Sequence, residues 1–368
     1  GEYQSAPDGR GLNPSRTTVD TKGNVWVGNR AEGGGGLGSA VHIGLEENNQ
    51  CVDRNGNGVI DTSTGLGDIK AWDNAGGQDH NGGVATAEDE CLIHYVRVGS
   101  PGTRHVSVDQ NGDAWIGGNN KFNAGNRVFS LVDGETGNVL ETTGPYQCGG
   151  YGGLVDGNGV LWSAKGGTLR YDPDTDTGQC LGISNSYGLG VDSQGNIWNS
   201  QWTNGTITKM DANGNVLGTY SSGSGSRGVA VTADDNIWVA NSHSNNVSRL
   251  NNDGSKVTDI SVGNHPTGVA VDAAGKVWVT NRYSDNAMRI DPATNQVDLT
   301  VDLGGNASPY NYSDMTGIIA MRDTAPQGTW TVVHDSSEEG TEWGAISWTD
   351  DVPSGSSLTV RVRAAETE

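Results

Sequence analysis

Six segments of this chain share one grammar: "TTVDTKGNVWVGNR" (17–30), "VSVDQNGDAWIGGN" (106–119), "GLVDGNGVLWSAKG" (153–166), "LGVDSQGNIWNSQW" (189–202), "VAVTADDNIWVANS" (229–242) and "VAVDAAGKVWVTNR" (269–282). Each is a short apolar run, a turn, and a second run carrying a tryptophan. The first run has the length and burial pattern of an inner strand. The Asp-x-x-Gly-Asn link supplies a carboxylate to bond the turn and residues that tolerate positive φ. A further strand pair follows each hairpin, as in "TITKMDANGNVLGTY" (206–220), "NVSRLNNDGSKVTDI" (246–260) and "AMRIDPATNQVDLTV" (287–301). The unit is therefore four antiparallel strands in about 40 residues. One such sheet cannot bury both of its faces, so the units must stack around an axis as an all-β propeller.

The tryptophans, Trp26, Trp115, Trp162, Trp198, Trp238 and Trp278, are spaced by 89, 47, 36, 40 and 40 residues. The first gap exceeds one period by about 49, and no second tryptophan hairpin fills it. It reads as one blade with a long insertion over 31–95. Six four-stranded blades are marked. "MTGIIAMRD" (315–323) repeats "PTGVAVDAA" (266–274) without its tryptophan turn, and "GEYQS" (1–5) resembles the final strand "GTYSS" (218–222). A chain that begins on a last strand and ends on a first one closes a ring, so a seventh blade is expected. The propeller is assigned to 1–323. The tail, 324–368, reads as a C-terminal β segment that either completes the last blade or begins an appended partial sandwich. Its apolar residues Val332, Trp343, Ile346, Trp348, Leu358 and Val360 require a covering surface.

Charge and cysteine usage narrow the setting. With 44 acidic against 22 basic residues the net charge is −22, which repels phosphate backbones and anionic lipid, so nucleic acid is not an expected partner. No apolar run reaches 18 residues, so no membrane insertion is expected. Cys51, Cys91, Cys148 and Cys180 show no C-x-x-C spacing. Their even number in an Asn- and Gly-rich acidic chain points to two disulfides and an oxidising, extracellular or periplasmic location, secreted or at the cell surface; four buried thiols are the alternative.

The units "GVAVDAAGKVWVTNRYSDNAMRID" and "GVAVTADDNIWVANSHSNNVSRLN" resemble NHL-type and virginiamycin B lyase-like propeller repeats, and the resemblance extends over about residues 12–322. It implies the propeller fold, on which lyases, lactonases, binding modules and scaffolds are all built. In the lyases it implies a metal-assisted ring opening by histidines before the inner strand, in a P-H-G-I context, and a glutamate after the tryptophan run. The matching positions here are Arg104, Tyr151, Tyr187, Arg227, Thr267 and Thr316, and the residues after the tryptophan include Asn29, Asn241 and Asn281. Neither the histidine nor the glutamate is matched. The same positions instead place Arg16, Arg104, Tyr151, Tyr187 and Arg227 around one mouth of the channel. A guanidinium fork and a phenol suit an anion or a sugar; otherwise they plug the axis. Of the seven histidines only His105 and His265 lie near blade entry points as possible ligands.

Within the insertion, "CVDRNGNGVIDTS" (51–63) sets Asp53, Asn55 and Asn57 at positions 1, 3 and 5 of a D-x-N-x-N-G loop. Gly58 falls at the tight turn, the Val59 carbonyl at position 7 and Asp61 at position 9. This resembles the calcium loops of EF-hands, dockerins and thrombospondin type 3 repeats. Thr64 stands where the bidentate glutamate belongs, so the missing carboxylate is sought in Asp68, or in Glu88, Asp89 or Glu90. The flanks are too rich in Asn and Gly for helices, which leaves a static calcium site and no switch. Cys51 and Cys91 bracket the insertion and, if paired, would hold it. A second acidic run, Asp172, Asp174 and Asp176, reads as a turn between two outer strands. The expected function is a calcium-stabilised binding or assembly scaffold whose partner is a protein, a glycan or a second copy; the alternative is a lyase- or lactonase-type enzyme acting at the channel mouth.

Overall fold

The computed structural model describes residues 2–8, 10, 13–30, 37–72, 89–118, 127–311, 340–341, 344–349 and 358–362. The chain divides into two compact units, Gly1–Asp323 and Thr324–Glu368. The first is a β-propeller of six four-stranded antiparallel sheets, each with its strands in consecutive order. The inner strands are Pro14–Val19, His105–Val108, Gly153–Val155, Ser186–Val191, Ser226–Val231 and Pro266–Val271. In the second unit, residues 344–349 and 358–362 lie outside any strand, and Ile346, Trp348, Leu358 and Val360 are exposed. Val332 and Trp343 lie outside the described residues.

The six tryptophans all sit on second strands, and cross-strand packing explains why. Five of them face a small residue on the inner strand: Thr18, Ser107, Gly190, Ala230 and Ala270 opposite Trp26, Trp115, Trp198, Trp238 and Trp278. The large ring fills the room that the small partner leaves. The turn aspartate then clasps the indole. Asp192 Oδ1 accepts from the backbone N–H of Gln194 and Asn196 at 3.1 and 2.8 Å, while Oδ2 accepts the Trp198 indole N–H at 3.1 Å. Asp156 holds Trp162 at 2.8 Å and Asp272 holds Trp278 at 2.8 Å in the same way, and Thr232 serves Trp238 at 3.0 Å. Blade one departs from the pattern. Asp20 Oδ2 bonds His42 Nε2 at 3.0 Å, and His42 stacks on Trp26 with centroids 4.1 Å apart.

Five of these tryptophans are fully buried, but Trp278 in blade six is only partly so. Each of the five lies between its own sheet and a neighbour, as Trp238 does with Val269, Val271 and Val279 of blade six. The segment 315–323, expected to open a seventh blade, lies outside the described residues. Residues 2–8 form no strand, contrary to the expectation for "GEYQS". Tyr3 and Ala6 instead pack on blade one with Val27, Val41, Trp72, Leu92 and Tyr95. The Asn29 side chain donates to the Ser5 carbonyl at 2.6 Å, which fixes this segment as a packed coil.

The extra length of blade one lies between its third and fourth strands, Gly38–Ile43 and Leu92–Val98, so the excursion is narrower than 31–95. Those two strands pair along their length, and no tryptophan marks them. Cys51 and Cys91 are disulfide-bonded across the base of the excursion, and Cys148 bonds Cys180 in blade three. The second disulfide ties the outermost strand, Thr177–Leu181, to the segment entering the inner strand. Asp174 and Asp176 lie in the turn joining that outermost strand to its neighbour Thr168–Asp172, and Asp172 ends the neighbour.

Candidate functional site

The channel mouth is assembled from one equivalent place in successive blades, the head of the inner strand. In blades four, five and six the pairing register shifts there, between Ser186 and Leu189, Ser226 and Val229, and Pro266 and Gly268. These irregularities bracket Tyr187, Arg227 and Thr267. A bulge bends the strand and re-aims the extra side chain, here away from the sheet face. Close blade packing assists. A Cβ on Gly188 would overlap the backbone carbonyl oxygen of Arg227, so glycine lets blade five approach Tyr187.

All five residues expected at the mouth meet there. Arg104 lies 3.9 Å over the Tyr151 ring and donates to its hydroxyl at 2.7 Å. Arg16 lies 5.8 Å from the same ring. Tyr151 stacks on Tyr187 at 5.7 Å, and Arg227 lies 5.4 Å from Tyr187. Arg16 is buried; its desolvation, and then the charge of Arg104, push its guanidinium well below the ordinary arginine value. Burial likewise raises the Tyr187 phenol, which stays a neutral hydroxyl.

The structure adds residues that repeat logic did not reach. Tyr310 comes from the linker after blade six. Asp285 accepts the backbone N–H of Asn306 and Ser308 at 3.1 and 2.7 Å, and Asn311 donates to Thr17 on blade one at 2.7 Å. Between these anchors Tyr310 hydrogen-bonds the Tyr187 hydroxyl at 2.5 Å, with Arg227 and Arg282 each 5.2 Å from its ring. The turn after the second strand supplies Trp202, His243 and Tyr283. With Tyr151, Tyr187 and His265 they form an unbroken crescent of rings over blades three to six. Its contacts are Tyr187–Trp202 at 5.5 Å, Trp202–His243 at 4.7 Å, His243–His265 at 6.1 Å and His265–Tyr283 at 4.5 Å. The available signal was a ring or guanidinium just after the second strand in three successive blades: Trp202, His243 and the Arg282–Tyr283 pair.

The electrostatics run against the rest of the chain. Lys165 lies 4.5 Å over Tyr151, and Arg227 lies 4.0 Å over Trp202. Among the described residues Lys165, Arg227 and Arg282 pair with no carboxylate. Arg227 is 6 % exposed; Nη2 faces His265 Nε2 at 3.1 Å, while Nε and Nη1 have no hydrogen-bond partner among the described residues. Burial and then the charges of Arg227, His243 and Arg282 depress His265 to about 4, so its imidazole is neutral at pH 7. His105 is not at the mouth. It is fully buried between Ser163 and Ser107 hydroxyls at 3.0 and 2.8 Å, and burial lowers its pKa to about 3. It is a core residue.

The aspartate loop is ordered by its own side chains. Asp53 accepts backbone N–H groups from Gly56, Asn57 and Gly58 at 2.7, 3.2 and 2.8 Å, and Gly58 takes φ +82°. The amides of Asn55 and Asn57 both converge on Asp61 Oδ2, at 2.9 and 3.0 Å. Val59 donates its N–H to Asn57 Oδ1 at 2.8 Å. The neighbouring acids have other tasks. Glu90 accepts from the backbone of Arg54, Asn55 and Asp61 at 2.8, 3.1 and 2.9 Å; Asp89 binds Thr62, Ser63 and the Cys91 N–H. Asp68 accepts the Thr64 hydroxyl at 2.9 Å and lies 3.7 Å from Lys70. Glu88 lies outside the described residues. No group of three or more His, Cys, Asp or Glu poised for a metal occurs among the described residues.

No protein-family profile matches the sequence, and no curated protein does. Solved structures do match. Virginiamycin B lyase from Staphylococcus aureus is similar over 82 % of this chain and 89 % of its own, with TM-score 0.58 and 16 % identity. A streptogramin B lyase structure is similar over 58 % and 73 %, with TM-score 0.50 and 19 % identity. A chain of the mitotic checkpoint complex covers 85 % and 86 %, with TM-score 0.58 and 12 % identity. What they share is the fold. At such identities the likeness shows the β-propeller fold alone and carries no activity with it. Among the described residues no helix is long and apolar enough to cross a membrane.

Proposed function

We propose that this chain is an extracellular binding module: a disulfide-held propeller, stabilised by calcium in its excursion, that takes a ligand at the channel mouth. One observation carries this reading, the meeting of guanidinium groups and an aromatic crescent at the mouth of a chain whose net charge is −22. Buried cations kept without carboxylates are costly unless they have work to do. A binding site gives them that work. The two disulfides agree with an oxidising compartment. The mouth is tested by screening immobilised glycans and carboxylated ligands with the native protein and with Arg227→Met and Trp202→Ala. Binding lost in both variants, with unchanged circular dichroism, supports the site; equal binding by all three refutes it.

Calcium would be held by Asp53, Asn55, Asn57 and Asp61, with the Val59 carbonyl, and Asp68, which accepts the Thr64 hydroxyl, would supply the further carboxylate. This hard, oxygen-rich donor set suits that ion, which would neutralise Asp53 and Asp61 and fix the excursion. EDTA should lower the melting temperature and added calcium restore it; an unchanged calorimetric transition removes the site. The enzyme reading has one observation on its side, His243 and His265 with their rings 6.1 Å apart beside the axis of a lyase-like fold. Incubation with quinupristin and a divalent metal, followed by mass spectrometry, decides it. The binding reading expects no linearised product.

A further inference from the structure

Resting on the mouth as a binding site, we infer that its ligand is an acidic oligosaccharide, with a uronate carboxylate set between Arg227 and Arg282 and sugar rings laid along the aromatic crescent. The charge comes first. Arg227 and Arg282 flank one tyrosine ring, each 5.2 Å from Tyr310, and no carboxylate among the described residues separates them. Two like charges gathered around one ring repel, and an anion placed between them relieves the cost. Arg227 also holds two donors, Nε and Nη1, buried and without partners among the described residues, and a buried unsatisfied donor is expensive to keep. His265 Nε2 already engages Nη2, which leaves Nε and Nη1 as the donors still to be satisfied.

Shape points from a simple anion to a saccharide. A free carboxylate or phosphate needs the cations alone, yet the rings continue past them. The crescent ends on Tyr283, 58 % exposed, with His243 also exposed and Trp202 and His265 half-buried. Partly exposed rings that run on across blades four to six, His243 and Tyr283 most of all, match a chain of sugar rings with apolar faces and polar edges. Cationic ligands are disfavoured, because arginine and lysine already lie over Tyr151 and Trp202. The rim of the same turns is dressed with amides and hydroxyls, Asn185 and Asn204 bonded to each other and Ser244 and Ser284 each bonding backbone, the groups that read sugar hydroxyls. Tyr310 is anchored through its neighbours in the chain by Asp285 and Asn311, and its hydroxyl bonds Tyr187.

The test is calorimetric titration of the full chain in calcium-containing buffer with tetragalacturonate and with its fully methyl-esterified form, in which each carboxylate has lost its charge and gained a methyl group. The acid is expected to bind and the ester to bind about tenfold or more weaker, the loss of one charge-assisted contact. Arg227→Met should bring the acid down to the level of the ester. Tyr283→Ala, at an exposed site that leaves the core intact, should weaken both forms alike. Acid and ester binding equally overturns the inference while leaving the mouth a binding site; acid binding unaffected by both substitutions overturns it and puts the binding elsewhere on the chain. If neither form binds, the inference falls as well; whether the mouth binds anything is then read from the separate ligand screen. Galacturonate monomer binding as tightly as the tetramer also overturns it, since a single anion would then suffice.

Discussion

Glu90 shows how a single buried carboxylate can govern the excursion, and Glu90→Gln puts a number on it. The side chain is fully buried. Oε1 accepts the N–H of Arg54 and Asn55, and Oε2 accepts the N–H of Asp61. These bonds close the aspartate loop from both ends. A hydrogen bond to a charged acceptor contributes about 1.5–3 kcal/mol and one to a neutral acceptor about 1 kcal/mol. Glutamine keeps an oxygen for the first two donors at reduced strength. Its NH2 then confronts the Asp61 N–H, leaving a buried donor unsatisfied at about 1–3 kcal/mol. The net cost is about 3 kcal/mol. The Cys51–Cys91 disulfide retains the chain nearby, so the cost should appear as local opening and not as global unfolding. Amide exchange at Arg54, Asn55 and Asp61 should accelerate about a hundredfold, at roughly 1.4 kcal/mol per decade. Exchange at the blade-four amides, measured by the same mass spectrometry, should not change. Unaltered exchange at those three loop amides would show that the loop is held by Asp53 and Asp61 alone.

Three further outcomes are expected. Asp192→Ala removes the acceptor of two turn amides and an indole and should cost about 3 kcal/mol in denaturant midpoint; a cost under about 1 kcal/mol would deny the clasp. Replacing Cys148 and Cys180 by serine opens a loop with sequence separation 32 and should destabilise by about 4 kcal/mol on the chain-entropy estimate, read from urea unfolding with and without reductant. Burial depresses His42, His94, His105 and His265 from 6.5, to about 4 for His94 and His265 and about 3 for His105. The unfolded chain therefore binds more protons below pH 6.5. Stability is full above that value and falls as pH drops toward the folded values, by up to about 1.4 kcal/mol per pH unit per imidazole. His105→Gln should flatten the slope of urea midpoints between pH 6.5 and 5; an unchanged slope means that His105 takes up no proton on unfolding.

Much of the propeller was readable because its information is local. Trp198 and Asp192 are six residues apart, their strand period is two, and the turn chemistry between them is explicit. The mouth ring was readable for a related reason: Tyr187 and Arg227 occupy the same place in neighbouring units, so aligning the repeats aligns the side chains. Tyr310 was not readable. It lies in a linker outside the repeat and meets Tyr187 across 123 residues, a contact that only ring closure creates. Glu90 illustrates a different limit. Its proximity to the loop was inferable from the cysteines that bracket both, but not whether its oxygens would face outward as ligands or inward to backbone N–H groups. That choice is settled by burial, which leaves loop amides no water to bond. "GEYQS" matched a strand by composition, yet Tyr3 and Ala6 gain more by covering blade one beside Trp72.

The indole clasp also bears on how such a molecule comes into being. Each clasp needs only the residues of one hairpin, so a sheet can set its own geometry while the remainder of the chain is still unmade. Local contacts within each hairpin are therefore available early, while stacking against neighbouring sheets and closure of the ring need the longer-range contacts. Lengthening blade one by a whole excursion leaves the other five hairpins undisturbed. An ancestor could thus have gained blades by tandem copying and novelties by inserting between outer strands, without renegotiating the core.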